Sequence, residues 1–309
     1  MILKNNTLAK PFVKWVGGKT QLLSEIEALL PHFLYSSKNI TYVESFVGGG
    51  AVLFWILQQF PNIHHAIIND INLDLINTYK TIKENPKELI SILKQIEKEY
   101  IYKSEIDRKE YFLLQRELFN SKQEDIILNS ALFIFLNKTC FNGLYRVNNA
   151  GKFNVPYGKY KKPTICDEEN ILKCHELLKK VEILQGDFSQ TLNYAGKNTF
   201  YYLDPPYKPI NKTSSFTAYS KENFTDKDQI RLSEFCDNIS KKGGYFILSN
   251  SDVNTIDKKD SFFDDLYSMY HIHRVMASRM INSNASKRGK IYEIMINNSE
   301  TKIRLDYGK

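Results

Sequence analysis

Seven short apolar or β-branched runs, at about 40–46, 65–69, 182–185, 199–204, 245–249, 270–276 and 291–297, punctuate the sequence, and helical patterns separate most of them. That alternation constrains the fold more than any other feature. A strand that returns through a helix lies parallel to the next strand. The chain therefore reads as α/β, a mostly parallel, Rossmann-like sheet of about seven strands with helices on both faces. The helical patterns at 51–60 and 168–180 suit such crossovers. The last two runs leave no room for a long helix and are expected to pair antiparallel.

One stretch breaks the alternation. From about 73 to 137 the pattern is helical, with Leu89, Ile92, Leu93 and Ile96 at i, i+3, i+4 and i+7. Residues 131–136 are apolar all round, which predicts a buried helix. Residues 137–163 are rich in Asn, Gly and basic side chains. The expected organisation is an α/β domain formed by 1–72 and 166–309, interrupted by a smaller domain of helices and a β-hairpin at 73–165.

Composition excludes several classes. The 309 residues are 42% apolar, enough for a sizeable core, and the net charge of +7 suits a polyanionic partner. No run of about 18 apolar residues occurs, so no membrane span is expected. The first ten residues lack the apolar stretch of a signal peptide. Cys140, Cys166, Cys174 and Cys236 show no CxxC spacing, and the histidines form no ligand pattern. Reduced cysteines, a cytoplasmic setting and no metal are the expectation.

Two segments have the chemistry of a nucleotide-type pocket. The first run leads through Glu44-Ser45-Phe46-Val47 into Gly48-Gly49-Gly50 and a helix. A Gly-rich turn at a helix N-terminus accepts a nucleotide-like group. It is not a GxGxxG fingerprint, because Leu53 occupies the third glycine position. Twenty residues after Gly50, Asp70 closes the second run, where a carboxylate accepts ribose hydroxyls. Upstream, Lys14-Trp15-Val16-Gly17-Gly18-Lys19-Thr20 ends like a P-loop. Val13 stands where that loop needs glycine and no strand precedes it, so nucleotide hydrolysis is rejected. Trp15 offers a flat apolar surface and Lys19 a point charge for a carboxylate.

The most specific segment is Phe200-Tyr201-Tyr202-Leu203-Asp204-Pro205-Pro206-Tyr207. An amino group on an aromatic base, as in adenine, is a poor nucleophile because its lone pair is delocalised into the ring. A carboxylate and a backbone carbonyl aimed at its two N–H bonds draw it toward tetrahedral geometry and stabilise developing positive charge. Asp204 supplies the carboxylate and Pro205 the carbonyl. The prolines stiffen the loop, and Tyr207 offers a ring for the base to stack on. Proximity then carries a methyl group in line from a sulfonium to nitrogen. Methylation of cytosine carbon 5 is disfavoured, since no Pro-Cys pair supplies its nucleophile.

Between Asn137 and Cys166 lie Lys138, Arg146, Lys152, Lys159, Lys161 and Lys162 with no acidic residue, interleaved with aromatic side chains and Asn. Asn148-Asn149-Ala150-Gly151 predicts a hairpin turn. Basic, acid-free and aromatic together, the segment reads as a nucleic-acid surface. Arg146 suits a guanine edge, worth roughly 1–3 kcal/mol of discrimination, and Phe141 suits a wedge into a base stack. A later stretch holds Arg274, Arg279, Lys287, Arg288 and Lys290, read as a phosphate-contacting loop around 283–290 or, equally, a solvated hairpin tip.

Together these motifs resemble the Dam-type N6-adenine DNA methyltransferases, in the group whose recognition domain precedes the Asp-Pro-Pro-Tyr motif. The resemblance covers nearly the whole chain. It implies S-adenosyl-L-methionine as cofactor and S-adenosyl-L-homocysteine as product. It implies that Trp15, Lys19, Glu44, Phe46, Gly48, Asp70 and Asp204 bind or adjoin the cofactor, with Asp187 and Phe188 near its adenine ring. It implies Asp204, Pro205, Pro206 and Tyr207 as the catalytic motif. On DNA it implies Phe141 as the intercalating ring, Asn142 at the orphaned base, Leu144, Arg146 and Pro156 reading bases, and Lys14, Tyr160, Lys287 and Arg288 at the edges. Phe141 departs from a frequent Tyr, and Glu44-Ser45-Phe46 from the usual Glu-Pro-Phe. The expected activity is methylation of a flipped-out adenine in duplex DNA within GATC, beside a restriction endonuclease that is no stable partner. Rival readings are methylation of cytosine, RNA or a protein glutamine, and a DNA-binding protein without catalysis. The glutamine enzymes favour Asn at position 204, and a deep RNA groove does not admit the hairpin.

Overall fold

The computed structural model describes residues 8–208, 224–278 and 290–299. Two short helices, α1 (Leu23–Ala28) and α2 (Phe33–Ser36), lead into β1 (Ile40–Glu44), and α3 (Ala51–Gln59) crosses to β2 (Ile63–Asp70). Four helices follow: α4 (Leu73–Glu84), α5 (Pro86–Ile101), α6 (Glu105–Asn120) and α7 (Ile126–Thr139). After an irregular segment come α8 (Glu168–Leu178), β3 (Val181–Gln185), β4 (Thr199–Leu203), α9 (Asp226–Lys241), β5 (Tyr245–Ser251), β6 (His271–Ser278) and β7 (Lys290–Asn297).

Among the described residues the strands form one sheet in the order β3-β2-β1-β4-β5-β7-β6. The pairs among β1 to β5 are parallel, and β7 runs antiparallel between β5 and β6, as the short connection before it requires. This is the expected Rossmann-like α/β class. All seven strands lie within a few residues of the runs read from sequence. β1 ends at Glu44; beyond it the Ser45 carbonyl accepts from Asn69 Nδ2 at 3.0 Å and the Ser45 hydroxyl shares a 2.8 Å hydrogen bond with Thr191.

The two faces of the sheet follow the period of two. In β4, Phe200 and Tyr202 enter one core while Tyr201 and Leu203 enter the other. The second core packs against Leu232, Phe235, Cys236 and Ile239 of α9. The first runs without a break from the sheet into α3, α4, α5, α7 and α8. Helix α7, apolar all round in sequence, is buried from Ser130 to Asn137. Asp125 caps it, accepting the N–H groups of Ile127 and Leu128 at 2.8 and 3.0 Å. Helix α5 opens with Pro86 in its first turn and buries Leu89, Leu93 and Ile96.

The turn at 148–151 forms as expected. The Gly151 N–H donates to the Asn148 carbonyl at 2.8 Å, and the Asn148 side chain accepts from the backbone of Ala150 and Lys152, both at 3.0 Å. The hairpin is not a continuous ladder. It pairs at two isolated bridges, Val147 with Phe153 and Cys140 with Tyr157. Pro156 has no N–H to give a ladder, and Gly143 sits in a left-handed conformation (φ 63°) that bends the opposite side. Among the described residues, no helix is long and apolar enough to cross a membrane.

Candidate active site and nucleic-acid interface

The C-terminal ends of β1, β2, β3 and β4 point the same way, and the sequence order reverses between β1 and β4. A crevice at such a switch point is where open α/β sheets bind ligands. Glu44 and the glycine turn leave β1 there, Asp70 closes β2, Asp187 follows β3 and Asp204 follows β4.

Asp204 lies at the centre. Its Oδ1 is 2.9 Å from Lys19 Nζ, and 21% of the side chain remains exposed. Lys19 is buried, donates to the Gly17 carbonyl at 2.6 Å and stands 4.6 Å from the centre of the Tyr207 ring. The carboxylate that Lys19 meets is thus the chain's own. Burial pushes the Asp204 carboxyl up to about 6; Lys19 opposes that rise and Glu293 adds to it. Glu44 is buried and accepts the Tyr42 hydroxyl at 2.7 Å. Burial drives its carboxyl well above the usual range despite that bond.

The turn after β1 is fitted to Trp15. A Cβ on Gly48, whose φ is +48°, would lie 2.8 Å from Trp15 Cδ1. The Gly48 N–H donates to Asp70 Oδ2 at 3.0 Å, and Asp70 Oδ1 accepts from the Asn72 backbone at 2.9 Å. Burial raises the Asp70 carboxyl, while these backbone donors pull it down. Each oxygen keeps a lone pair for a further donor. Next to this turn, Phe46 and Phe188 lie 5.3 Å apart at 34°, and Phe188 carries Arg231 over its ring at 5.1 Å. Asp187 pairs with that Arg231 at 3.0 Å and accepts the Ser189 N–H at 3.0 Å. Burial favours the neutral acid there, but the bonds from Ser189 and Arg231 outweigh it and hold the carboxyl low. The donor set fits an adenosine-like group: a carboxylate with free lone pairs for a ribose diol, and two aromatic rings beside a second carboxylate for a purine.

Tyr207 and its neighbours tie the catalytic loop down. The Tyr207 hydroxyl donates to Glu293 Oε2 at 2.6 Å, and Gln229 Nε2 donates to the Pro206 carbonyl at 3.1 Å. Pro205 is buried and Pro206 exposed.

A second cluster surrounds the hairpin. Phe141 is 49% exposed, and its N–H donates to the Pro156 carbonyl at 2.8 Å. Asn142 is exposed and left-handed at φ 56°. A Cβ on Gly143 would meet Lys14 Cβ at 2.7 Å, so only glycine lets the hairpin touch the strap formed by residues 11–19. Lys14 Nζ stands 4.9 Å over the Tyr160 ring. Leu144 is half-buried against the core, and Pro156 is exposed. Arg146 turns Nε to Asn154 Oδ1 at 2.7 Å and Nη2 to the Asn154 carbonyl at 3.3 Å. Lys287 and Arg288 lie outside the described residues. Arg274 of β6 is committed to Asp252 and Asp264 at 3.2 and 2.7 Å.

Several residues escaped the sequence reading. Asn137 joins the two clusters: it accepts the Lys14 N–H at 2.8 Å and donates to the carbonyls of Lys14 and Gly143 at 2.8 and 3.0 Å. Tyr145 stacks on Trp15 at 5.7 Å and 25°. Glu293, Gln229, Asn250 and Arg231 hold or pair with motif residues. Glu293 alone left a signal, a charge before the buried run Ile294-Met295-Ile296.

The model of D12 class N6 adenine-specific DNA methyltransferases matches residues 15–281. A type II methyltransferase of Methanocaldococcus jannaschii is 49% identical, over 94% of this chain and 99% of its own length. A type II methyltransferase of Lactococcus lactis subsp. cremoris is 37% identical, over 96% and 98%. The DNA adenine methylase of Haemophilus influenzae is 33% identical, over 95% of both chains. With most of the chain matched and the motifs gathered at the switch point of the sheet, the protein belongs to the D12 class N6 adenine-specific DNA methyltransferase family, enzymes that depend on S-adenosylmethionine and act on DNA.

Proposed function

We propose that the enzyme flips the target adenine of a GATC site out of duplex DNA and methylates its N6 in a pocket built on Asp204. The observation that carries this reading is the position of Asp204: a carboxylate at the sheet's switch point, stiffened by two prolines and beside an aromatic ring. Its oxygen accepts one N–H of the amine, and the Pro205 carbonyl accepts the other. Together they hold the nitrogen lone pair toward the donor and stabilise the positive charge that forms there. Tyr207 stacks on the base. Flipping costs a few kcal/mol, offset by that stacking and by Phe141 filling the gap in the duplex.

S-adenosylmethionine, when bound, supplies the methyl group. Asp70 receives its ribose hydroxyls; Phe46, Phe188 and Asp187 border its purine; and Trp15, Lys19, Glu44 and Gly48 line the rest. The exposed Phe141 and Asn142 support insertion at the vacated base. We assign 73–165 to DNA recognition, and 1–72 with 166–309 to catalysis. Leu144, Arg146 and Pro156 read bases, while Lys14, Tyr160, Lys287 and Arg288 hold the edges. Two relatives named as type II methyltransferases support a role beside a restriction endonuclease, and DNA as substrate supports work on the nucleoid in the cytoplasm.

Purified protein incubated with plasmid and cofactor should place methyl groups on GATC adenines, mapped by single-molecule sequencing. Asp204→Ala should abolish the transfer and keep the circular dichroism of the folded chain. Substantial activity in Asp204→Ala would sink the mechanism, and modification at another sequence would sink the site.

A further inference from the structure

Tyr207 is fixed at both backbone neighbours and at its hydroxyl. The Pro206 carbonyl accepts from Gln229, whose Oε1 accepts from Asn250 Nδ2 at 3.1 Å. On the other side the Lys208 N–H donates to Asn250 Oδ1 at 3.3 Å, and the Lys208 carbonyl accepts from Ser251 Oγ at 2.8 Å. These bonds set the main chain but not the two side-chain torsions of Tyr207. At the hydroxyl the 2.6 Å bond to Glu293 restrains those, beside a weaker interaction with Asp204. Lys19 lies over one face of the ring, 4.6 Å from its centre, so the ring's orientation decides what its other face offers.

Glu293 is a poor choice for stability alone. It sits opposite Ser251 on β7, directly before buried Ile294. Its charge works against a neighbouring carboxylate, pushing Asp204 upward. A neutral hydroxyl or amide would anchor Tyr207 without that penalty, although less strongly than an ionised acceptor.

We propose that Glu293 is a positioning residue for methyl transfer, orienting the Tyr207 ring on which the target adenine stacks. The role rests on the reading of Asp204 and Tyr207 given above. The carboxylate makes no contact with substrate and acts through the tyrosine hydroxyl.

Single-turnover methyl transfer from tritiated cofactor to a GATC duplex tests it. Glu293→Ala should slow transfer about tenfold or more, as expected for losing a bond to a charged acceptor, with the DNA KM near that of the unmodified enzyme. Glu293→Gln should recover most of the loss, because an amide oxygen still accepts the hydroxyl. Tyr207→Phe should reproduce the loss, and adding Glu293→Ala to it should change the rate by less than about twofold. The proposal is overturned if Glu293→Gln is as slow as Glu293→Ala, if the two losses multiply, or if Tyr207→Phe transfers at the full rate. Tyr207→Phe leaves the strand intact, so it decides the matter even if Glu293→Ala does not fold. No transfer by the unmodified enzyme would overturn the catalytic reading itself, whereas an active enzyme with unaffected variants overturns only the role of Glu293.

Discussion

A carboxyl accepts an N–H most strongly, and stabilises developing positive charge, when it is ionised, and Asp204 is held near the pH at which it changes state. Burial lifts it to about 6 from the ordinary 3.8. The pH dependence of kcat/KM reports the free enzyme. It should therefore rise through about 6 and flatten above about 7; a profile already flat at pH 5 would contradict this. Stability moves the opposite way. A carboxyl whose folded value is raised holds its proton more tightly when folded. Its contribution is complete below the unfolded value near 3.8 and is lost as pH rises through about 6. At about 1.4 kcal/mol per pH unit, the difference is about 3 kcal/mol. Urea titrations of the unmodified chain and of Asp204→Asn should diverge by an amount of that order between pH 4 and pH 7, in favour of the variant. The Lys19 pairing forms as Asp204 ionises and is already contained in the value of about 6, so parallel curves would rule the shift out.

At the scale of elements, the strap at 11–19 and the hairpin at 140–158 touch at Lys14–Gly143 and Trp15–Tyr145, and one side chain of α7 hydrogen-bonds to both. Asn137 is buried and bonds both the Lys14 backbone and the Gly143 carbonyl. Asn137→Ala strands the buried Gly143 carbonyl and the part-buried backbone groups of Lys14, and it should cost about 2–4 kcal/mol in urea unfolding. A loss below about 1 kcal/mol would mean the strap is held elsewhere. None of this was legible beforehand, and the reason is physical. An Asn near a helix end reads as an ordinary C-terminal residue, and its partner lies 123 positions away. Strands and faces, by contrast, are written locally, so the alternation of Phe200, Tyr201, Tyr202 and Leu203 gave β4 its two faces directly. The catalytic motif was equally local. Its supports, Glu293, Gln229 and Asn250, came from elements whose approach no period reveals. The hairpin turn was legible in Asn148-Asn149-Ala150-Gly151, but its broken ladder was not, since that depends on how Gly143 meets Lys14.

For the whole molecule, an excess of seven positive charges faces a polyanion. Affinity for DNA should fall linearly on a logarithmic plot against salt, with a slope near −0.9 per phosphate neutralised. Lys161 and Lys162 are exposed beyond the hairpin. Replacing both by Ala should flatten the slope by about 1–2 and weaken all duplexes alike, measured by anisotropy over a sodium chloride series. An unchanged slope would take that edge of the hairpin off the DNA. The strap has a further consequence, for the order in which the enzyme is made. Residues 14–19 lie near the start of the chain, yet their partners are Gly48, Asn137, Gly143, Tyr145 and Asp204. Such distant contacts close slowly. Until the ribosome has released Asp204, the last of these partners, Lys19 has no carboxylate to meet, so a nascent enzyme acquires its chemistry only after β4 has emerged.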